Sequence, residues 1–327
     1  MTQESPSLAP AENPVQRLFN AVQSEVSRVF FGQEELFQGV MVALLSGGHV
    51  LIEGVPGLGK TLLARALGRV LGCRFSRIQF TPDLMPSDIT GTHVYEERSG
   101  EFKFHPGPVF TNILLADEIN RSPAKTHAAL LEVMQERQVT VDGKRFKMPE
   151  PFLVMATQNP IETEGTYNLP EAQLDRFMFK LLVNYPALEH ETQLLRQYCQ
   201  ADSALLQQEP ALQALARRED LLELAAFLTT IRLDEAIVDF IARLVRATRS
   251  WRGIYQGASP RAGVCLVQAS RVLAAMRGRI FVVPDDVMDL ALPAMRHRIV
   301  RSPEMEVEGI EADQILQECF RSVEVPR

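Results

Sequence analysis

The sequence predicts an α/β fold: a doubly wound, parallel, five-stranded sheet followed by a smaller all-α domain. Three observations carry that prediction. Gly54-Val55-Pro56-Gly57-Leu58-Gly59-Lys60-Thr61 fits the phosphate-loop pattern G-x-x-x-x-G-K-[ST], and it lies between an apolar run at 49–53 and a Leu-, Ala- and Arg-rich stretch at 62–71. That is the strand–loop–helix setting the motif requires. Strand-like runs then alternate with helical ones as far as about residue 183, the pattern of a parallel sheet wound on both faces. Beyond Pro186 the strand signals largely stop and helical periodicity takes over.

Residues 1–14 are rich in Ser, Pro, Glu and Ala and are expected to form a disordered tail. Val15, Leu18, Phe19, Val22, Val26 and Val29 recur at three- and four-residue steps and predict an amphipathic helix. Phe31-Gly32-Gln33 breaks it, and a second helix follows over about 33–45, stopped by Gly47-Gly48. Residues 74–80 read as a strand. Runs at 92–95 and 101–104 flank a turn and predict a hairpin. Residues 113–117 are continuously apolar up to Asp117, the mark of a strand buried on both faces. Ser122-Pro123 predicts a helix start with serine as the cap and proline in the first turn, running to about residue 137. Asp142-Gly143 between two strand-like runs predicts a second hairpin over 138–148. Runs at 151–157 and 177–183 complete the five strands. Helices are expected over about 233–251, 260–277 and onward from Pro284. The domains are therefore expected at 15–186 and 187–327.

The chain has 327 residues, 46% hydrophobic, and a net charge of −7 from 34 basic and 41 acidic side chains. This suits two globular domains and argues against a nucleic-acid partner, which would normally leave a basic footprint. Cys73, Cys199, Cys265 and Cys319 form no C-x-x-C pair. A disulfide framework or zinc site is not expected, and a reducing compartment is. The start lacks the basic and apolar regions of a signal peptide, and no apolar run is long enough to span a bilayer. A cytoplasmic protein is the expectation.

The chemistry follows from the loop. Its glycines let backbone N–H groups surround phosphate oxygens at a helix N-terminus. Gly54, Pro56, Gly57, Leu58, Gly59, Lys60, Thr61 and the following Leu62 form the expected nucleotide-binding set, with Lys60 facing the β- and γ-phosphates and the Thr61 hydroxyl facing Mg²⁺. Asp117 ends an apolar strand and is the expected second metal ligand. Glu118 projects differently and is the expected base for the attacking water. Asn159 follows the strand at 151–157 and could bind the γ-phosphate or that water, although Asn-Pro is equally a turn signal. Arg176 could be an ordinary helix-end cation paired with Asp175 or Glu171. Arg261 is different. Ser259-Pro260-Arg261 puts a cation in a helix first turn, against the dipole, and a bound anion would relieve that conflict.

The phosphate loop, Leu115-Ala116-Asp117-Glu118-Ile119-Asn120-Arg121, Ala156-Thr157-Gln158-Asn159-Pro160 and residues 169–177 together resemble the MoxR branch of the AAA+ ATPases. The resemblance covers nearly all of residues 15–327. It implies an ATPase using ATP and Mg²⁺, with Asn159 sensing the γ-phosphate and Arg176 serving as an arginine finger for a neighbouring subunit. It further implies that Arg261 is the lid-domain sensor, reaching the nucleotide as the helical domain closes, and that Gly32 and Gln33 lie beside the adenine. Such proteins typically act as homo-oligomers, in hexameric rings. They are similar to chaperones that mature client complexes or insert cofactors, often with a von Willebrand factor A-domain protein. Two other readings remain at this level: a helicase-like DNA-translocating motor, and a phosphotransferase, which would need an acceptor pocket and a basic lid. Arg121 is the alternative to Arg176 as the arginine acting across an interface.

Overall fold

A computed structural model describes residues 13–160, 167, 169–200 and 212–326 of the chain. Most of the expected disordered tail thus lies outside the described residues. From Pro14 the chain is already helical, with Asn13 as the cap accepting a hydrogen bond from Gln16 N (2.8 Å).

The first part of the chain runs α1 (Pro14–Val26), α2 (Glu34–Leu45), β1 (Val50–Glu53), α3 (Lys60–Val70), β2 (Phe75–Gln79), α4 (Pro86–Thr90), β3 (Gly91–Glu96), β4 (Glu101–Pro106) and β5 (Ile113–Asp117). It continues through α5 (Ala124–Glu136), β6 (Gln138–Val141), β7 (Lys144–Lys147), β8 (Leu153–Gln158), α6 (Glu171–Leu174) and β9 (Phe179–Leu182). The rest is mostly helical: α7 (Leu188–Gln200), α8 (Arg218–Leu228), α9 (Glu235–Ala247), α10 (Pro260–Met276), α11 (Pro284–Met295), α12 (Pro303–Val307) and α13 (Ala312–Arg321). It also contains a small antiparallel pair, β10 (Ile254–Gln256) with β11 (Val300–Arg301), that periodicity did not predict.

The central sheet has five strands in the order β2-β5-β8-β1-β9, every neighbouring pair parallel. Along β1, β5 and β8 alternate side chains enter different cores, as a pleated strand requires. Val50, Ile52, Ile113, Leu115, Leu153 and Met155 join the cluster formed with α1, α2, α3 and the later helices. Leu51, Leu114, Ala116, Val154 and Ala156 join a second cluster against α5. This two-sided burial explains why β5 and β8 read as unbroken apolar runs. The first cluster extends without a break through α9, α10 and α11, so the helical part shares a core with the sheet.

Two local expectations need adjusting. Helix α5 begins one residue later than its sequence suggests: Pro123 is the cap, in extended conformation (φ −64°, ψ 156°), and the buried Ser122 hydroxyl has no hydrogen-bond partner. A proline disfavours helical conformation in the residue before it, so Ser122 arrives extended (φ −105°) from the short 3₁₀ turn at Ile119–Arg121. Helix α1 ends at Val26, earlier than its apolar period, although Val29 and Phe30 remain buried. The Asp142-Gly143 turn is as expected, with both residues at positive φ (50° and 78°). The hairpins β3–β4 and β6–β7 pack on each other through stacked Phe104 and Phe146 rings (4.1 Å between centroids), with His93 Nδ1 2.6 Å from Asp142 Oδ2. Among the described residues no helix is long and apolar enough to cross a membrane.

Buried histidines make the fold sensitive to acid. His49 accepts from Val154 N (3.1 Å) at Nδ1, which leaves Nε2 to donate to Met134 O (3.1 Å). Burial lowers its pKa from 6.5 to about 4, and His127 and His297 are also held below the ordinary value. A histidine kept neutral in the fold stabilises it fully above its unfolded pKa, and that stability fades as pH falls toward the folded value. His49 alone would contribute up to roughly 3 kcal/mol. The urea midpoint is expected to be flat between pH 8 and 7 and to fall steadily from 6.5 toward 4.5. A midpoint unchanged over that acidic window would show that these rings are already charged in the folded state.

Candidate functional site

Parallel strands deliver their C-terminal ends to one edge, and a cavity of about 680 Å³ opens there. In register, Glu53 faces Gln158 and Gln79 faces Asp117. The loop after β1 rises into this space and closes on α3, whose cap Gly59 has a left-handed backbone (φ 77°). A side chain at that position would be strained. Gly54, Pro56, Gly57, Leu58, Gly59, Lys60, Thr61 and Leu62 all line the cavity, together with Asp117, Glu118 and Asn159. The Lys60 ammonium is bonded to Gly54 O. Burial lowers its pKa, while Asp117, Glu53 and Glu118 pull it back up.

The acidic pair is held apart by backbone geometry. Asp117 is the last residue of β5, and Glu118 then turns into the left-handed region (φ 55°, ψ 49°), which is rare for a residue with a side chain. The two carboxylates therefore have different partners. Asp117 takes the Thr157 hydroxyl (2.9 Å) and Arg77 Nε (2.6 Å). Glu118 Oε2 takes Gln79 Nε2 (2.7 Å) and Arg121 Nε (3.1 Å). The Thr157 hydroxyl also accepts from Glu118 N (2.9 Å), tying β8 to the turn.

The far wall is apolar and comes from Phe30, Phe31, Gln33, Tyr185, His190 and Leu194. Gln33 Nε2 donates to Asn184 O (2.9 Å). His190 rests directly on Gly32: a Cβ there would lie 2.6 Å from the His190 ring, and Gly32 has φ 67°. Gly32 is therefore needed both for the turn and for the close approach.

Arg176 and Arg261 are not in this cavity. They line a second one of about 350 Å³, shared with Arg137, Arg298 and the Gly47–His49 turn. His49 O accepts from Met178 N (2.7 Å), so this cavity lies at the N-terminal ends of β1 and β9. The strands put roughly 13 Å between the two edges. Arg261 thus departs from the expectation that the helical domain would carry it to its own chain's nucleotide. The reason is the anchorage of that domain. Arg298, itself 8% exposed, donates to Asp175 Oδ1 (2.7 Å), Phe177 O (2.7 Å) and Met178 O (3.1 Å), and Ser259 donates to Asp175 (3.1 Å). These bonds fix the start of α10 beside β9. The anion that meets Arg261 here is Asp175, at 3.7 Å. Arg176 has no polar partner among the described residues.

Sequence reasoning missed Arg77, Gln79, Thr157 and His190. Thr157 had a usable signal, since it sits two residues before Asn159 at a strand end. The others had none, because nothing local indicates that β2 lies beside β5 or that α7 folds back over Gly32.

The family model described as "ATPase family associated with various cellular activities (AAA)" matches residues 49–179, and one described as "AAA lid domain" matches residues 246–319. The chain is 45% identical to the chaperone MoxR1 of Mycobacterium tuberculosis over 93% of its length and 81% of that protein's. It is 44% identical to the uncharacterized protein YeaC of Bacillus subtilis over 92% of each chain. A solved structure of a candidate ATPase from Cytophaga hutchinsonii superposes with a TM-score of 0.88 at 39% identity, covering 96% of both chains.

Proposed function

The chain belongs to the MoxR family of AAA+ ATPases, and from that premise we propose that it binds and hydrolyses ATP with Mg²⁺ as a ring of identical subunits. Hexameric closure is the form this reading takes. The cycle would remodel or mature a client protein complex, for example by enabling cofactor or metal insertion, with a von Willebrand factor A-domain protein as partner. MoxR1 of M. tuberculosis is named a chaperone, which supports the client reading.

One observation carries the assembly reading: Arg176 and Arg261 face a cavity at the opposite edge of the sheet from the phosphate loop. A single copy has the triphosphate site at one edge and Arg176 and Arg261 at the other. Two copies packed edge to edge complete each other.

Within one site the roles follow from the side chains. Backbone N–H groups of the loop and the Lys60 ammonium bind the β- and γ-phosphates. Glu118 orients a water and takes its proton, with Gln79 and Arg121 holding its carboxylate until then. Asn159, at the end of β8, positions the γ-phosphate or the water. The apolar wall of Phe30, Phe31 and His190 receives the base. Thr61 Oγ1 and Asp117 would hold Mg²⁺. Both line the cavity or its loop, and a hydroxyl and a carboxylate are the oxygen ligands that a hard cation takes alongside phosphate and water. When bound, Mg²⁺ supplies neutralising charge to the phosphate oxygens.

Lys60→Ala is expected to weaken ATP binding by about 10–100-fold, the usual effect of losing a charged hydrogen-bond donor; titration with a fluorescent ATP analogue measures it. Assembly is tested by dilution. Turnover per chain should rise with protein concentration in parallel with the sedimenting oligomer. A constant turnover from a monomeric sample would sink the ring reading.

A further inference from the structure

The arginine cavity holds a third guanidinium, placed there by an element unrelated to Arg176 or Arg261. Arg137 ends α5 in the left-handed region (φ 51°) and turns the chain directly into β6. Its carbonyl accepts from Met148 N (2.9 Å), closing the neck of the β6–β7 hairpin. Its guanidinium reaches the other way, donating to Gly47 O (2.7 Å) with Glu150 at 4.0 Å. One residue therefore grips the hairpin with its backbone and faces the cavity with its charge.

The surroundings are rigid, but Arg137 is not firmly held. His49 pins the adjoining turn to α5 and β8 through its two ring nitrogens. Arg298 has its donors filled by Asp175 and backbone carbonyls. The Arg137 side chain, by contrast, is 42% exposed and depends on a single neutral carbonyl and a distant carboxylate. The cavity lining holds four guanidiniums and no carboxylate. A polyphosphate is the anion that matches several forked donors at once, and its oxygens are stronger acceptors than a peptide carbonyl.

We propose that Arg137 is a third cation for the triphosphate presented by a neighbouring copy, and that its transfer from Gly47 O to phosphate carries the nucleotide state into the β6–β7 hairpin. This rests on the assembly reading above. The Arg137 backbone closes the hairpin neck through Met148 N, so any backbone shift that accompanies the release of Gly47 O would be felt there. Such a shift would pass on to the β3–β4 hairpin through the Phe104–Phe146 stack and the His93–Asp142 contact. A change at the subunit interface would thus reach both hairpins.

The test uses the full-length Glu118→Gln protein, which is expected to bind ATP without consuming it, and follows amide hydrogen exchange over residues 138–148 with and without ATP and Mg²⁺. ATP should change hairpin exchange in this protein. Adding Arg137→Ala or Arg137→Gln should abolish the change at saturating ATP, with assembly kept, and Arg137→Lys should restore part of it. In the otherwise native protein, Arg137→Ala should lower turnover at saturating ATP by about 10–100-fold. A hairpin that ignores ATP, or responds equally with Ala at residue 137, overturns the proposal. Arg176→Ala separates the two readings. If it abolishes turnover while the Arg137→Ala hairpin still responds, only the coupling role fails. If it leaves turnover and concentration dependence untouched, the assembly reading fails too.

Discussion

Arg176→Ala is expected to bind ATP as the native protein does and to lose hydrolysis by about 10³–10⁵-fold, the range for an arginine supplied across an interface to a transferring phosphoryl group. Binding should survive because Arg176 lines a cavity at the other edge of the sheet from the phosphate loop. It does not line its own chain's phosphate-loop cavity. The decisive measurement is a mixture with Glu118→Gln. Neither variant alone has an intact site, but an interface pairing Glu118 of one copy with Arg176 of the other does. Turnover should therefore reappear on mixing and follow the fraction of mixed interfaces. If the mixture stays inactive while the two proteins demonstrably exchange subunits, Arg176 has no role across the interface. Arg121 would not inherit that role by default, since it is already bonded to Glu118 of its own chain.

Glu118→Gln should retain ATP and hydrolyse it about 10²–10⁴-fold more slowly, the usual contribution of a positioned base. The amide keeps the shape of the side chain and can still bond Gln79, but it cannot take a proton. Asp117 is expected not to substitute, because in this reading its carboxylate holds Mg²⁺. Phosphate release after a single loading of ATP measures the loss directly. Native-like release would move the base assignment away from Glu118.

What could be read from the chain alone was whatever neighbouring residues decide together. The phosphate loop, the apolar strand ending in Asp117 and the Asp142-Gly143 turn each state their geometry within about eight residues. The strand order does not appear locally, so Arg77 and Gln79, which reach Asp117 and Glu118 from β2, were invisible. Arg261 shows a subtler limit. A cation in a helix first turn does need an anion, and Asp175 meets it here. The dipole argument identified the requirement but could not say which anion, or at which edge of the sheet. That depends on Arg298, more than a hundred residues from the strand start it clamps.

Helix α1 has a consequence for how the protein is made. Asn13 Nδ2 donates to Ala275 O (2.8 Å) across 262 positions of sequence, and Val15, Val22 and Val26 share a core with α10. Helix α1 must wait for α10. At roughly 5–20 residues per second that delay is on the order of ten seconds to a minute. During it the side of α1 that packs on α10 is uncovered. Full packing of α1 is therefore expected only once the C-terminal third of the chain has arrived.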